Sequence, residues 1–154
     1  MRRAKQQLSA GECIDILKNE WRGVLSVNGG GGHPYGVPLD FVYDEDNGRI
    51  YFHCAKTGHK LDLLKNDPRV SFCVYDKGFR REGEWALNIK CVIAFGTVRF
   101  ITDFEETVAR VRQLGLKYYP TPEECEVEVI NAASRVQMLE MTIEHMTGKI
   151  VNES

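Results

Sequence analysis

The sequence predicts an α+β fold built on an antiparallel β-barrel, with short helices at the ends of the barrel. Two observations lead to this prediction. Most β-like segments follow one another through short turns that contain glycine, as successive hairpins do. The helical patterns are short and are inserted between these segments, without the regular strand–helix alternation of a parallel sheet. The 154 residues suit one domain, 1–154, with one sizeable core.

The predicted elements begin with a helix and a hairpin. Ser9 stands three residues before a glutamate, which is the spacing of a capping box, and predicts a helix over Glu12–Glu20. Gly23–Val27 and residues 34–44 (PYGVPLDFVYD) have strand character. The glycines of NGGGGH, residues 28–33, raise the alternative of a phosphate-binding loop, but such a loop needs a following helix and a lysine. We therefore predict a hairpin turn.

The middle of the chain predicts a strand, a helix and a strand. EDNG, residues 45–48, is a turn that leads into the strand Arg49–Cys54. After Gly58-His59-Lys60 the leucines have helical spacing, and Asn66-Asp67-Pro68 ends that helix. Arg69–Tyr75 alternates as a strand, with one face formed by Val70, Phe72 and Val74.

The second half predicts one long strand and two later ones. KGFRREGEW is a polar loop, and it is followed by the longest β-like run, Cys91–Ile101. Gly96 within this run indicates a bulge or a close approach of another backbone. Met138–Ile143 alternates again, and Gly148–Val151 forms a short separate strand at the end.

Two helices are predicted between these strands. Asp103 is a plausible cap for the first, whose apolar residues Phe104, Val108, Val111 and Leu114 lie near one face. The second helix covers residues 122–134 and has Pro122 in its first turn.

Composition argues against several classes of protein. The formal net charge of −2 leaves no basic excess for general binding to nucleic acid or a membrane surface. No apolar run approaches the roughly 20 residues of a membrane helix, and the initial MRRAKQQLSAGE lacks the apolar stretch of a secretory signal. The cysteines are odd in number, form no CxxC pair and stand at positions 13, 54, 73, 91 and 125. We expect reduced thiols in a cytoplasmic protein.

One strand-to-helix junction, in IYFHCAKTGHKLDLL, is flanked by His53, His59 and Lys60. A helix N-terminus presents unpaired N–H groups and a partial positive charge. Gly58 would let an anion approach the backbone, and His59 and Lys60 would add positive charge, so a phosphate is a natural ligand. The alternative is a solvated first helical turn, and the spacing alone does not separate these interpretations.

The runs YFHCAKTGHKLDLLKNDPRVSF and CVIAFGTV, in this order, resemble the flavin-binding split-barrel superfamily. That group includes the pyridoxamine-5′-phosphate oxidases and the nitroimidazole-resistance (Nim-type) proteins. The resemblance extends from RGVLSV through GVPLDFVYD to IEHMTGK, and the Nim-type branch is the most similar. It implies a six-stranded split β-barrel that forms a homodimer and binds FMN in the groove between the two chains. FAD is the alternative cofactor, since both present a phosphate at the same distance from the ring.

The resemblance also implies residue roles. The flavin ring would be lined, mostly through backbone atoms, by Val37, Pro38, Leu39 and Asp40. The ring and ribityl chain would be followed by His53, Cys54 and Ala55. The phosphate would be held by Gly58, His59 and Lys60. Cys91 stands where relatives often supply a hydroxyl or an amide to the cofactor. A carboxylate beside the ring would disfavour the anionic reduced flavin, so we expect Asp40 to face a partner side chain.

The implied function is an FMN-dependent oxidoreductase of nitroimidazole-reductase-like type, which reduces a small organic acceptor with electrons from a reduced nicotinamide or another donor. His53 is the candidate catalytic residue, because an imidazole can donate a proton near neutral pH. The alternative is a structural role, in which His53 is a half-buried strand histidine that hydrogen-bonds to the backbone. The alternative function is a flavin- or haem-binding carrier or sensor without turnover. The final EHMTGKIVNES lacks the arginine and histidine with which pyridoxamine-phosphate oxidases hold their substrate, so vitamin B6 oxidation is not expected.

Several other side chains have two interpretations. Cys54 is either a reactive thiolate near a helix N-terminus or, as we favour, a packing residue. Tyr35 and Trp85 either shield a flavin edge or make core or dimer contacts. His33 is expected to be solvated in its turn, and the scattered histidines, including His145, do not predict a metal site.

Overall fold

Six antiparallel strands close into a barrel in the order β1-β2-β3-β6-β5-β4 in a computed structural model, which describes residues 4–151. The strands are β1 Arg22–Val27, β2 Tyr35–Asp44, β3 Arg49–Ala55, β4 Arg69–Tyr75, β5 Ile89–Ile101 and β6 Val136–Val151. The α-helices in this range are α1 Ala10–Asn19, α2 His59–Asn66, α3 Phe104–Tyr118 and α4 Pro122–Ala132, and a 3-10 turn covers Ala4–Gln6. The predicted α+β barrel is confirmed. No helix within residues 4–151 is both long and apolar enough to cross a membrane.

Local sequence chemistry accounts for most element boundaries. The capping box of α1 is complete, since the Ser9 side chain accepts from the Glu12 N–H and the Glu12 carboxylate accepts from the Ser9 N–H. The glycine-rich segment 28–33 connects β1 to its antiparallel neighbour β2, which confirms the predicted hairpin. In the EDNG turn, Gly48 has a φ of 61°, a backbone conformation that glycine adopts without steric penalty.

The barrel interior is filled by alternate residues of each strand. In β4 the predicted inward face is confirmed, because Val70, Phe72 and Val74 are buried. The Phe72 ring packs edge-on against both Phe41 and Phe52, with ring centroids 4.9 Å apart in each pair. This aromatic group joins β2, β3 and β4 across the centre of the core.

The last strand differs from its prediction. Residues 136–151 form one continuous strand, whereas two separate segments were predicted. A bulge keeps it paired with β5, since the register shifts between Phe95 and Gly96, as predicted for Gly96. A Cβ at Gly96 would lie 1.9 Å from the Thr142 carbonyl oxygen, so only glycine fits there. The predicted alternation over Met138–Ile143 is also incomplete.

Four consecutive residues of β6 are buried because this part of the strand is covered on both faces. Leu139 and Met141 belong to the barrel core, whereas Met138 packs in a second cluster with Leu114 of α3. The predicted apolar face of α3 is correct at Leu114 but wrong at Phe104, which is 60% exposed. Phe104 is the first residue of the helix, and the buried positions of α3 begin one turn later, at Thr107.

A buried carboxylate lies under α3. The side chain of Glu140 in β6 is 2% exposed and accepts hydrogen bonds from Arg49 and from Arg99, whose Nε lies 2.8 Å from Oε1. Arg99 also pairs with Glu106 of α3 at 2.5 Å. Burial by itself would raise the pKa of Glu140, but the hydrogen bonds and charges of the two arginines outweigh it and hold this pKa below its usual range. The network therefore ties α3 to the strands beneath it.

Glu140→Gln should lower the free energy of unfolding at pH 7 by about 1–3 kcal/mol, because two arginines lose a charged acceptor. In the wild type the Glu140 contribution is present above the ordinary carboxyl pKa of 4.5 and is lost as the pH falls through the lowered folded-state value. The variant should lose this acid-dependent part. Urea unfolding at several pH values measures both effects. Glu45→Gln is the matched control, since its ion pair with Lys18 lies on the surface. Equal losses for the two variants would contradict the assigned role of Glu140.

Candidate functional site

Strands β2 and β3 separate at one end of their ladder. Their pairing stops at Phe41 and Phe52, although β2 extends back to Tyr35 and β3 continues to Ala55. Beyond this point β2 pairs with β1, and β3 pairs with β6. The gap between them, here called the β2–β3 gap, exposes two strand edges whose N–H and C=O groups are available to a ligand.

The first cavity at the β2–β3 gap has a volume of about 390 Å³ and is lined by Arg22, Pro38, Leu39, Asp40 and His53. Arg22 and Asp40 face each other across the β1–β2 ladder, and the Arg22 Nε donates to the Asp40 Oδ1 at 2.7 Å. The expectation that Asp40 faces a partner side chain is thus confirmed. The hydrogen bond to Asp40 raises the pKa of Arg22, so the guanidinium remains charged at this cavity.

The end of α3 fixes the backbone that precedes Arg22. The Lys117 Nζ donates to the Glu20 carbonyl oxygen at 2.6 Å and lies 3.9 Å from the centre of the Phe41 ring. The Tyr118 hydroxyl donates to the Trp21 carbonyl oxygen and accepts from the Phe41 N–H at 2.9 Å. Burial lowers the pKa of Lys117 to about 8 and raises that of Tyr118 to about 12. These contacts close the end of the β1–β2 ladder beside the first cavity.

The second cavity lies at the start of α2 and has a volume of about 190 Å³. Gly58, with a φ of 147°, is the N-cap, and α2 has no side-chain cap. The other three α-helices are capped by Ser9, Asp103 and Thr121. The first turn of α2 therefore keeps backbone N–H groups without a capping acceptor. A Cβ at Gly58 would meet no atom within 4 Å, so there is open space over these groups for an anion.

Side chains supply charge and shape to the second cavity. Lys60 lies beside the Cys54 thiol and His59 packs edge-on against Tyr35, with ring centroids 5.0 Å apart. Burial raises the pKa of Cys54 despite the opposing effect of Lys60, and its Sγ donates to the Gln137 carbonyl oxygen at 3.7 Å. The thiol is therefore protonated near neutral pH. The packing interpretation of Cys54 is the one that its contacts favour.

The structure brings together ten of the eleven positions implied for the cofactor. The first cavity contains Pro38, Leu39, Asp40 and His53, and the second contains Val37, Cys54, Ala55, Gly58, His59 and Lys60. Consecutive residues of both strands divide between the two cavities: Val37 and Cys54 line the second cavity, whereas Pro38 and His53 line the first. Cys91 lines neither cavity. It lies in β5 opposite Tyr75 and Lys149, so one chain alone does not place it with the other ten.

Some lining residues were not predicted. Arg22 emerges only from the strand register, because nothing in the sequence pairs it with Asp40 eighteen residues later. Thr57 lines the second cavity, and its hydroxyl directly before Gly58 in TGHK was a sequence feature that could have indicated it. Leu61, in the first turn of α2, contributes an apolar wall.

The remaining candidates lie apart or on the surface. Tyr35 lines the second cavity, whereas Trp85 is 74% exposed in the loop before β5. His33 is exposed, as expected, and His145 stacks on Phe95 with ring centroids 6.1 Å apart. Over residues 4–151, no three histidine, cysteine or acidic side chains come together in a way that could hold a metal ion. All five cysteines are free.

A wider surface groove adjoins the first cavity. It has a volume of about 640 Å³, shares Arg22 and Pro38 with that cavity and extends to Trp21, Tyr75 and Tyr118. Trp21 and Tyr75 are 58% and 56% exposed. Large aromatic surfaces exposed together are typical of an interaction surface.

Comparison with known proteins gives a family and a fold. A family model described as pyridoxamine 5′-phosphate oxidase matches residues 9–150. A candidate 5-nitroimidazole antibiotic resistance protein from Bacteroides thetaiotaomicron is similar in structure, with a TM-score of 0.79, 19% identity and coverage of 95% of this chain and 87% of that one. An FAD-binding protein from Mesorhizobium loti gives a TM-score of 0.68 and 23% identity, over 95% and 97% of the two chains. An FAD- and haem-binding protein from Mycobacterium smegmatis gives a TM-score of 0.76 and 16% identity, with coverage of 97% of this chain and 74% of that one. No curated protein matches the chain.

Proposed function

Because the chain belongs to the pyridoxamine 5′-phosphate oxidase family, a flavin-binding family, we propose that it is an FMN-dependent oxidoreductase of nitroimidazole-reductase-like type. It reduces a small organic acceptor with electrons from a reduced nicotinamide. One observation carries the proposal: two cavities are lined by the β2 and β3 residues of the β2–β3 gap. One has an uncapped helix N-terminus and a lysine, and the other has a histidine and an ion pair.

The residues of the β2–β3 gap fit FMN. Gly58, His59 and Lys60 would hold the phosphate, since free amides and an ammonium both favour an anion. Pro38, Leu39 and Asp40 would face the ring. Bound FMN would supply the two-electron chemistry by accepting a hydride from the nicotinamide and passing a hydride to the acceptor.

His53 provides the proton for this reaction. Reduction of a quinone to a hydroquinone, for example, takes up one hydride and one proton, and the His53 imidazolium donates that proton to an acceptor oxygen. The side chain is exposed at the first cavity, so water can protonate it again after each turnover. Arg22, at the same cavity, balances the charge of Asp40, so the carboxylate opposes electron-rich forms of a nearby ring less than it would alone.

A homodimer is part of the same proposal. The exposed Trp21 and Tyr75 border the 640 Å³ groove next to the first cavity, and a second copy of the chain would cover them.

Sedimentation velocity should give twice the mass of one chain, and Trp21→Glu should shift the protein towards the monomer, because a carboxylate would be buried at the interface. Ile130→Glu is the comparison, at an exposed apolar position of α4 that does not line the groove. A monomeric wild type at micromolar concentration would contradict the dimer.

Lys60→Ala should weaken binding of FMN roughly ten- to hundredfold, because a charge-assisted contact to a phosphate contributes about 1.5–3 kcal/mol. Binding of riboflavin, which lacks the phosphate, should change little. Quenching of flavin fluorescence on titration with protein measures both affinities. Lys56→Ala, at an exposed lysine outside the cavity lining, is the matched control. If Lys60→Ala weakens both flavins equally, the lysine does not contact the phosphate.

His53→Ala should retain FMN but slow transfer to the acceptor about 10²-fold, as expected for loss of a general acid. The FMN-loaded protein is first reduced anaerobically with NADPH or NADH, which should bleach the visible flavin band. It is then mixed rapidly with 1,4-benzoquinone, and the return of the band gives the rate. His33→Ala, at an exposed turn histidine, is the control. Loss of FMN from His53→Ala, or an unchanged rate, would overturn the role of His53.

The second candidate function is a flavin carrier or sensor without turnover. Structural neighbours named as FAD-binding and as FAD- and haem-binding proteins favour keeping it. Tight flavin binding together with no bleaching by either nicotinamide would support this function and contradict the oxidoreductase. A protein that stays colourless after incubation with FMN and dialysis would contradict both functions.

A further inference from the structure

A third cavity lies between α3, α4 and the outer face of the barrel. Apart from His53, its lining residues fall between positions 111 and 136. Its volume is about 150 Å³. Its floor consists of buried apolar side chains and a buried thiol, with Leu114, Cys125 and Val129 exposed by 7%, 1% and 2%. The cavity is therefore set into the protein between two helices and the sheet.

The mouth of this α3–α4 cavity is polar. His53, Tyr119 and Glu128 line it, and each is at least partly accessible to solvent. An apolar interior with a few polar groups at one side is the usual composition of a site for a small organic molecule. A ring would lie on the floor and a polar substituent would face the mouth.

His53 connects this cavity to the β2–β3 gap. The same side chain lines the first cavity, with Pro38 and Asp40, and the α3–α4 cavity, with Val136 and Leu114. A molecule in the α3–α4 cavity would thus lie against the residue that can donate a proton, and next to the space that is proposed for the flavin ring.

The chemistry of the walls limits the ligand. A volume of this size holds about one benzene-sized molecule. The Cys125 Sγ donates to the Arg112 carbonyl oxygen at 3.7 Å, and burial raises the pKa of this thiol, so the wall there is uncharged. At the mouth, the Tyr119 hydroxyl can donate to a carbonyl oxygen and the Glu128 carboxylate can accept from a hydroxyl. The same carboxylate repels anions.

We propose that the α3–α4 cavity binds the ring of a neutral single-ring quinone or phenol, with an oxygen substituent at the mouth beside His53. That a quinone bound here is the electron acceptor rests on the proposed oxidoreductase function; a phenol would bind as its reduced analogue without accepting electrons. The binding site itself does not, since every residue of its walls other than His53 belongs to the segment from α3 to β6 and lines neither cavity of the β2–β3 gap.

Phenol is the probe for the site. In methyl NMR spectra of the full chain, with and without added FMN, phenol should cause saturable shifts of the methyl signals of Leu114 and Val129, with a Kd on the order of 1 mM for so small a ligand. The methyl signals of Leu17 and Leu25, buried in the barrel core, should stay in place. Benzoate, which has the same ring and a negative charge, should cause no saturable shift.

Ala132→Leu fills the cavity from α4 and should weaken phenol binding at least tenfold. Ala109→Leu, the same change at an exposed position of α3, should leave the Kd unchanged. If Ala132→Leu does not fold, Val136→Ile fills the same space by one methyl group and should weaken binding several-fold. Absence of saturable shifts in the wild type, or equal affinity in the filled variants, would overturn the site.

The assignment as acceptor site has its own readout. Phenol should slow oxidation of the reduced protein at low benzoquinone concentration and have no effect at saturating benzoquinone. Slowing at all concentrations would overturn this assignment. Phenol binding without flavin reduction by a nicotinamide would keep the site and reject the oxidoreductase function. Flavin turnover without phenol binding would keep the function and reject the site.

Discussion

The candidate site depends on the early end of the β2–β3 ladder. Within the barrel each strand is hydrogen-bonded on both sides, but Tyr35–Asp40 and His53–Ala55 each lose one neighbour where these strands separate. Unpaired strand edges are usually a liability, because they invite pairing with other chains. Here the two edges face each other across a space too wide for a ladder, and they offer their backbone groups to a ligand. Every position that lines the first two cavities is placed by this separation or by the elements that flank it.

The strands are held apart by contacts on both sides of the gap. On the β2 side, the Tyr118 hydroxyl bridges the backbone of Phe41 and Trp21, and Lys117 fixes the preceding carbonyl of Glu20. On the β3 side, residues 53–55 remain paired with β6, whose outer face is held to α3 through Glu140 and Arg99. Helix α3 therefore supports both walls of the gap, although none of its residues lines the two cavities there. A rigid frame of this kind reduces the ordering that a bound ligand would require.

Much of this arrangement was accessible from the sequence, for identifiable reasons. The turn at residues 45–48, the capping box at Ser9 and the alternation in β4 depend only on residues close together in the sequence. The structure confirms all three. The ten cofactor positions came from a resemblance whose motifs lie on β2, β3 and the start of α2, and these elements meet at the gap. The features that were missed depend on tertiary structure. The Arg22–Asp40 pair requires the strand register, the continuity of β6 requires the bulge at Gly96, and the exposure of Phe104 reflects how α3 lies on the sheet.

The three cavities are built from different parts of the chain, and His53 is shared by the first cavity and the α3–α4 cavity. The walls of the β2–β3 gap cavities come from β1, β2, β3 and α2, whereas those of the α3–α4 cavity come mainly from the helical pair inserted between β5 and β6. As related sequences diverge, substitutions in α3 and α4 can reshape the α3–α4 cavity without changing the residues of β1, β2, β3 and α2 that line the other two cavities. Homologues with the same strand motifs and different helical pairs would then share one ligand and differ in the other.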